Sequence, residues 1–478
     1  MRSAIIDIGY NAVRAVVYDC DELGAPEIFN YKFKNYIINL LDLDNLEIKH
    51  QTYLSLQYLI HIFTSLKVNN IKCVATAILR AHPKAEEFKE IIKKKFNIDI
   101  EIISGEREAY LTAAGLISGI SDALGIVADL GGGSLELAQI EDKKVGKLRS
   151  LPLGTKVITS NNLDTHVITK MIQEEFGEKH YPNLYLIGGA LRLIGRLYMD
   201  SINYPLKNLH NFEINRAEFE FYLEKLFHID RLKLSYYEQK AINYNAILIV
   251  KSIIKVFSPE KIIISNYGLK EGVRFDSLPP SEQKKDIIYE RVKKLVKFDK
   301  NICKIDKYVE AIKYLLINPD PTTLITIELA IMLAQYNKNI DKTLRANFVS
   351  EFILSSDIPF SHRQRLMLGI AVALAFTYTV RTDIFINKIA KKMISKCDYY
   401  NSHIIGYFIK ISREIDGPEF YEPSFSIKLK DNKFLQINTS DILPKQVFEK
   451  VYERLKSIGL ARRNINYTAT AIGSVNKI

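Results

Sequence analysis

Short apolar runs alternate with amphipathic stretches over the first part of the chain, which predicts strands separated by helices. Ala4 to Ile6 leads into Asp7, a turn follows at Gly9, and Ala12 to Tyr18 alternates as an extended strand does. Ile71 to Ala77 reads as a buried strand, Pro83 to Phe96 as an amphipathic helix, and Ile98 to Ile103 as the next strand. From Ile126 the theme repeats, with a strand at Tyr185 to Gly189, a long helix near Ala241 to Phe257 and a strand at Lys261 to Ser265. Strands and helices alternating at this spacing indicate an α/β fold. Ser277-Leu278-Pro279-Pro280-Ser281 is linker chemistry. Beyond it the period becomes helical: Asp286–Lys300, Thr322–Tyr336, Asp341–Ser355 and His362–Tyr378. A strand-like stretch, Ser424–Ile437, precedes a last helix at Lys445–Ile458, and the final residues look frayed. These breaks divide the chain into 1–124, 125–280 and a helical, basic 281–478.

Two of the predicted hairpins follow one plan. In the first, Asp7, Gly9 and Arg14 stand where the second has Asp129, Gly131 and Glu136. Each apolar run ends on an aspartate, turns on glycine and returns as an alternating strand. The pattern is that of a duplicated phosphate-binding hairpin, with a cleft between two related lobes.

Composition narrows the setting. The chain has 478 residues, 47% of them hydrophobic and 25% charged, with a formal net charge of +11. The length suggests about three domains. The charge favours an anionic partner, although excess lysine also suits a plainly solvated surface. Cys20, Cys73, Cys303 and Cys397 lie far apart, against both a zinc site and a disulfide framework. Asp7 interrupts the N-terminal apolar run too early for a signal peptide, and Met367–Val380 is too short to span a bilayer. The expectation is a cytoplasmic protein with no membrane partner and no recognisable nucleic-acid module.

Glycine turns let backbone N–H groups approach a phosphate, because no Cβ intervenes. Gly131-Gly132-Gly133-Ser134 is the stronger instance and Gly9-Tyr10-Asn11 the weaker. An aspartate before each turn suits Mg²⁺, which keeps several waters and needs only one or two carboxylates. Between the hairpins a strand ends at Ser104-Gly105 and a helix begins, placing Glu106 and Glu108 in its first turn. There they either complement the helix dipole or supply a base for an attacking water. Arg80, shortly after Thr76, suits neutralisation of phosphate charge or a solvated surface.

Five motifs, in order, carry a resemblance: Asp7–Arg14, Ala75–Arg80, Ile103–Ala109, Asp129–Ser134 and Ser265–Gly272. Together they resemble the exopolyphosphatase / guanosine pentaphosphate phosphatase (Ppx/GppA) family of the actin–hexokinase–Hsp70 superfamily, over roughly residues 3–275. The resemblance implies two ribonuclease-H-like, actin-like ATPase lobes around a cleft, with Mg²⁺-dependent hydrolysis of terminal phosphoanhydrides. The glutamate preceding alanine in the family's Ser-Gly-x-Glu-Glu-Ala motif is Glu108 here, which by this resemblance would be the catalytic residue. Asp129 and Glu136 would belong to the metal and its water. Gly9, Asn11, Arg80 and Gly131 to Ser134 would contact phosphate. Asp7, Tyr10, Arg14, Thr76, Gly188, Gly189 and Gly268 would lie near the substrate. The C-terminal region is similar to a His-Asp metal-phosphohydrolase domain that has lost its metal site, since no His-Asp dipeptide occurs and His362 and His403 lack ligand spacing. Similar proteins are often dimers, so a homodimer is the expectation.

This chain departs from the family at Tyr10 and Ala12, which remove two hydroxyls from the usual Gly-Ser-Asn-Ser loop, and at Leu135, Ala190 and Arg107. Exopolyphosphatase activity is the first expectation and conversion of guanosine pentaphosphate (pppGpp) to ppGpp the second. A non-catalytic binder of polyphosphate or alarmone is the alternative of another class. Sugar kinases and Hsp70-like ATPases fit less well, because they lack the Ser-Gly-x-x-Glu-Ala segment.

Overall fold

The structure is a computed structural model. It describes residues 1–10, 12–34, 51–229, 242–298, 304–337, 339–377, 385–417, 420, 423, 425–430, 434–439 and 467–471. Asn11, Cys303 and the expected helix at Lys445–Ile458 lie outside them. The chain divides into two compact units, Met1–Tyr204 with Leu209–Glu290, and Pro205–Asn208 with Arg291–Ile478.

The first unit begins with β1 (Arg2–Ile8), β2 (Ala12–Tyr18) and β3 (Glu27–Lys34), then α1 (Gln51–Ser65), β4 (Val68–Ala75), α2 (Ala77–Arg80), α3 (Ala85–Phe96), β5 (Ile100–Ile102) and α4 (Gly105–Gly119). Its five strands form one sheet in the order β3-β2-β1-β4-β5, an antiparallel meander extended by two strands parallel to β1. Alternation sends Ile6, Ile8 and Val13 to one face, against Leu56, Phe88 and Ile92 of α1 and α3. Ile5 and Val16 go to the other, with Leu111 and Val273. The expected strand at Ile71–Ala77 ends two residues earlier, because Thr76 becomes the N-cap of α2.

The second sheet repeats the plan. β6 (Gly125–Leu130), β7 (Leu135–Glu141) and β8 (Lys144–Leu151) form the meander. They are followed by α5 (Thr155–Asn161), α6 (Thr165–Phe176), β9 (Asn183–Ile187), α7 (Gly189–Ser201), β10 (Phe212–Asn215), α8 (Arg216–Phe227), α9 (Tyr244–Phe257), β11 (Lys261–Ile264) and α10 (Leu269–Ser277). The order is β10-β11-β9-β6-β7-β8, with β9 parallel to β6 and β11 parallel to β9. The two hairpins match residue for residue: Asp7 pairs with Arg14 across the first, and Asp129 with Glu136 across the second. The same turn bond closes both, from Gly9 N–H to the Ala12 carbonyl and from Gly131 N–H to the Ser134 carbonyl, each at 3.0 Å. The strand expected through Gly189 stops at Ile187, where Gly188 turns the chain into α7.

Helix α4 follows the first sheet in sequence, yet its buried Ala113, Leu116 and Ile120 pack on Val127, Ala138 and Tyr185 of the second. Helix α10 follows the second sheet, and its Val273 packs on the first. The two helices cross backbone to backbone. A Cβ at Gly272 would collide with the Leu111 carbonyl, and one at Gly115 with the Gly268 carbonyl.

The second unit is mostly helical. Helix His362–Phe376, buried along nearly its whole length, packs against Lys342–Ser355 and Lys396–Ile415. Arg363 joins Asp320 at 2.6 Å to Asp398 at 2.5 Å, which ties three helices together. The stretch expected as one strand at Ser424–Ile437 is a hairpin, β12 (Phe425–Lys430) and β13 (Phe434–Thr439). Part of the expected frayed end forms β14 (Tyr467–Ala471), parallel to β13. His362 and His403 bond backbone carbonyls, and no group of three or more metal-ligating side chains occurs among the described residues. No helix among them is long and apolar enough to cross a membrane.

Gly272→Ala places a methyl group against an unyielding carbonyl. Overpacking of this kind costs about 1–3 kcal/mol, and the upper end is expected here because both obstructing atoms are backbone. Gly189→Ala, with nothing within 4 Å, serves as the control and should not destabilise. Urea denaturation of both variants measures the difference.

Candidate active site

The glycine turns of the two hairpins open onto one cleft of about 300 Å³. Of the residues expected near substrate, Asp7, Tyr10, Arg14, Thr76, Gly188, Gly189 and Gly268 all line it, as do Gly9 and Gly131 to Ser134. Glu108 and Asp129 face it too. Arg80 and Glu136 stand just behind the wall. Arg80 donates to Glu108 at 3.3 Å and to the Ile103 carbonyl at 2.7 Å. Glu136 is 3% exposed and accepts from Ser150 at 2.9 Å.

Local sequence explains the placement of Glu108. Ser104 caps α4 by accepting from Arg107 N–H at 3.1 Å, so the cap does not consume the glutamates. Gly105 lies where any Cβ would press on Ser150 of β8, so α4 can close onto the second sheet only through a glycine. That closure brings Glu108 beside Glu136, the partner of Ser150. Glu106 points elsewhere and pairs loosely with Arg149 at 3.7 Å.

The second glycine turn is braced from behind. Thr155 and Lys156 N–H groups donate to the Gly131 and Gly132 carbonyls at 3.1 and 3.0 Å. In a trans peptide the next N–H points opposite to the carbonyl. The amides of Gly132 and Gly133 are therefore turned away from α5, available to an anion. Gly188, at φ +95°, sits so close to the second hairpin that a Cβ would lie 2.6 Å from the Leu130 carbonyl and 2.8 Å from Asp129 Oδ1.

Four carboxylates crowd this region. Burial raises Asp7 to about 6, with nearby Asp129 adding to the rise. Burial raises Glu108 to about 9, and then Glu136 and Asp129 push it further. Glu136 rises to about 7, again by burial and Asp129, and Asp129 rises by burial although Thr112 donates to it at 3.2 Å. The donors are hard oxygens with no thiol or imidazole among them, and burial outweighs the nearby Arg14, Arg80 and Arg192 in raising the acids. That fits Mg²⁺, which needs one or two carboxylates and completes its shell with water and phosphate. Asp129 and Glu136 are the pair that would hold it.

Several cleft residues carried no motif. Arg192 of α7 and Lys32 of β3 line the cleft beside Arg14, and burial followed by the charge of Arg14 depresses Lys32. Burial also depresses Arg192. The Nε atoms of Arg14 and Arg192 are buried without a hydrogen-bond partner. Glu271 also faces the cleft, accepting from Gly268 N–H at 3.0 Å and pairing with Lys270 at 2.6 Å. Arg192 follows the Gly188-Gly189 turn closely, the one signal that pointed to it; Lys32 lies on a strand with none.

The Ppx/GppA phosphatase family model matches residues 16–281. Guanosine-5'-triphosphate,3'-diphosphate pyrophosphatase of Pseudoalteromonas translucida is 23% identical over 305 residues, 58% of this chain and 59% of that protein. Retrograde regulation protein 2 of Saccharomyces cerevisiae is 22% identical over 347 residues, 63% of this chain and 58% of that one. The chain thus spans about three-fifths of the length of these relatives. An exopolyphosphatase crystal structure from Cytophaga hutchinsonii matches with a TM-score of 0.50 at 19% identity, over 58% of this chain and 99% of that one. At that identity the likeness establishes the fold alone, two α/β lobes. The family match begins at residue 16, so the equivalence of the first hairpin rests on its register with the second.

Crowded acids make stability depend on pH in a defined sense. A carboxyl whose folded pKa is raised keeps a proton that the unfolded chain has released. Its stabilisation is complete below the ordinary carboxylate pKa and lost as pH rises through the folded value. The metal-free protein should lose stability between about pH 5 and 9 as Asp7, Glu136 and Glu108 ionise in turn. Glu108→Gln, which cannot ionise, should flatten the upper part of the fall. Urea midpoints in chelator at pH 5, 7 and 9 test this, and parallel curves for the two proteins would contradict it.

Proposed function

The chain belongs to the Ppx/GppA phosphatase family, hydrolases of phosphoanhydride bonds, and we propose that it is an exopolyphosphatase releasing orthophosphate from the end of inorganic polyphosphate. The observation that carries the reading is that both glycine turns open onto one cleft with Glu108 on its wall.

The terminal phosphate sits between the turns, where amides of Gly132 and Gly133 hold its equatorial oxygens. Glu108 orients a water and takes its proton as the oxygen forms its bond to the terminal phosphorus. The bridging P–O bond breaks, and the shortened chain leaves with the electron pair. Arg80 steers the Glu108 carboxylate by its 3.3 Å bond. Mg²⁺, held by Asp129 and Glu136, supplies charge neutralisation at the phosphate oxygens when bound. Arg14, Lys32 and Arg192 extend the cleft with positive charge, which supports a substrate with successive phosphates.

A second reading, 5'-phosphate release from pppGpp, is favoured by the guanosine-5'-triphosphate,3'-diphosphate pyrophosphatase among the relatives. Mg²⁺-dependent phosphate release from long-chain polyphosphate, pppGpp and ATP, measured side by side, separates these. Polyphosphate should give the highest kcat/KM. Glu108→Gln should lower kcat by roughly 10²–10⁴-fold, the usual contribution of a general base. Equal rates for wild type and variant would reject the role of Glu108, and no release from any substrate would favour a binding protein.

A further inference from the structure

Resting on that reading, we propose that Tyr10 and Lys156 form a clasp across the mouth of the cleft that favours an unbranched inorganic phosphate chain over nucleoside 5'-polyphosphates. The two residues belong to different lobes. Tyr10 follows Gly9 in the turn of the first hairpin, and Lys156 stands in α5, behind the turn of the second. The Lys156 ammonium lies 4.1 Å from the centroid of the Tyr10 ring. That is well within the range of a cation–π contact.

Each end of the clasp is anchored to a phosphate turn. Lys156 N–H donates to the Gly132 carbonyl at 3.0 Å, so its backbone moves with the second turn. Tyr10 sits inside the first turn, closed by the 3.0 Å bond from Gly9 to Ala12. The ring also approaches the second turn directly, since a Cβ at Gly133 would lie 3.8 Å from Tyr10 Cδ2. The contact therefore spans the gap through which a phosphate must pass. The resembling family usually has serine at the Tyr10 position, too short to reach across.

Selectivity follows from what the ring offers. One face of Tyr10 is taken by an ammonium, so a purine can stack there only by displacing Lys156. A bare phosphate chain needs no ring face and gains the nearby positive charge as it enters. Burial lowers the pKa of Lys156, as expected of an ammonium that has given up part of its water. The clasp thus acts on entry and binding, and its effect belongs in KM more than in kcat.

The test is a double-mutant cycle on the full chain: wild type, Tyr10→Leu, Lys156→Met and both together, with Glu108→Gln alongside. kcat and KM are measured with long-chain polyphosphate and with pppGpp. Each single change should lower the polyphosphate-to-pppGpp ratio of kcat/KM by roughly two- to five-fold, the size of an exposed cation–π contact. The double variant should fall no further than either single one, and Tyr10→Phe should preserve the coupling. An unchanged ratio, or independent effects that multiply in the double variant, would overturn the clasp while leaving the catalytic reading intact. A fully active Glu108→Gln would reject the role of Glu108 alone, and the clasp would still stand or fall by the ratio. If the chain binds without turnover, the same ratio is read from calorimetric dissociation constants for tripolyphosphate and pppGpp.

Discussion

Backbone-to-backbone contact between α4 and α10 is the constraint on which the rest depends. Gly115 and Gly272 leave no Cβ where each meets the other helix's backbone, so the helices approach main chain to main chain. Each helix also packs on the sheet that it does not follow in sequence. The exchange joins two otherwise separate sheets at one seam. With the seam closed, the matched turns share one cleft; spread apart, they would be two unrelated surface loops.

The same closure crowds charge. Asp7, Glu108, Asp129 and Glu136 have little water around them and raise one another's pKa. Arg14, Lys32 and Arg192 stand among these acids and gather positive charge in partly dry surroundings. Burying charged groups of both signs costs the empty protein stability. Such an arrangement is typical of a functional site. The duplicated hairpins have divided the task. The position opposite the aspartate is a cation in one lobe, Arg14, and an acid in the other, Glu136.

Much of this was legible in the residues. The aspartate–glycine hairpins declared their equivalence by spacing, and the register confirms it position by position. The Ser104-Gly105 boundary marked the start of α4 and hence Glu108. Boundaries slipped by two or three residues where a cap or a positive φ ended an element before its apolar pattern did, as at Thr76 and Gly188. The C-terminal strands were misread because β14 is specified by pairing with the distant β13, which no local period reveals.

By itself the chain determined its local elements, the duplication and the chemistry available at each turn, because these follow from side-chain period, glycine and the fixed offset of an acid. Only tertiary structure decided which groups meet. Lys32 and Arg192 join Arg14, Glu271 faces the cleft, and Lys156 reaches Tyr10 through contacts between lobes far apart in sequence. Such meetings depend on how closely two sheets are drawn together, a distance set by small residues at a helix crossing and encoded in no single motif.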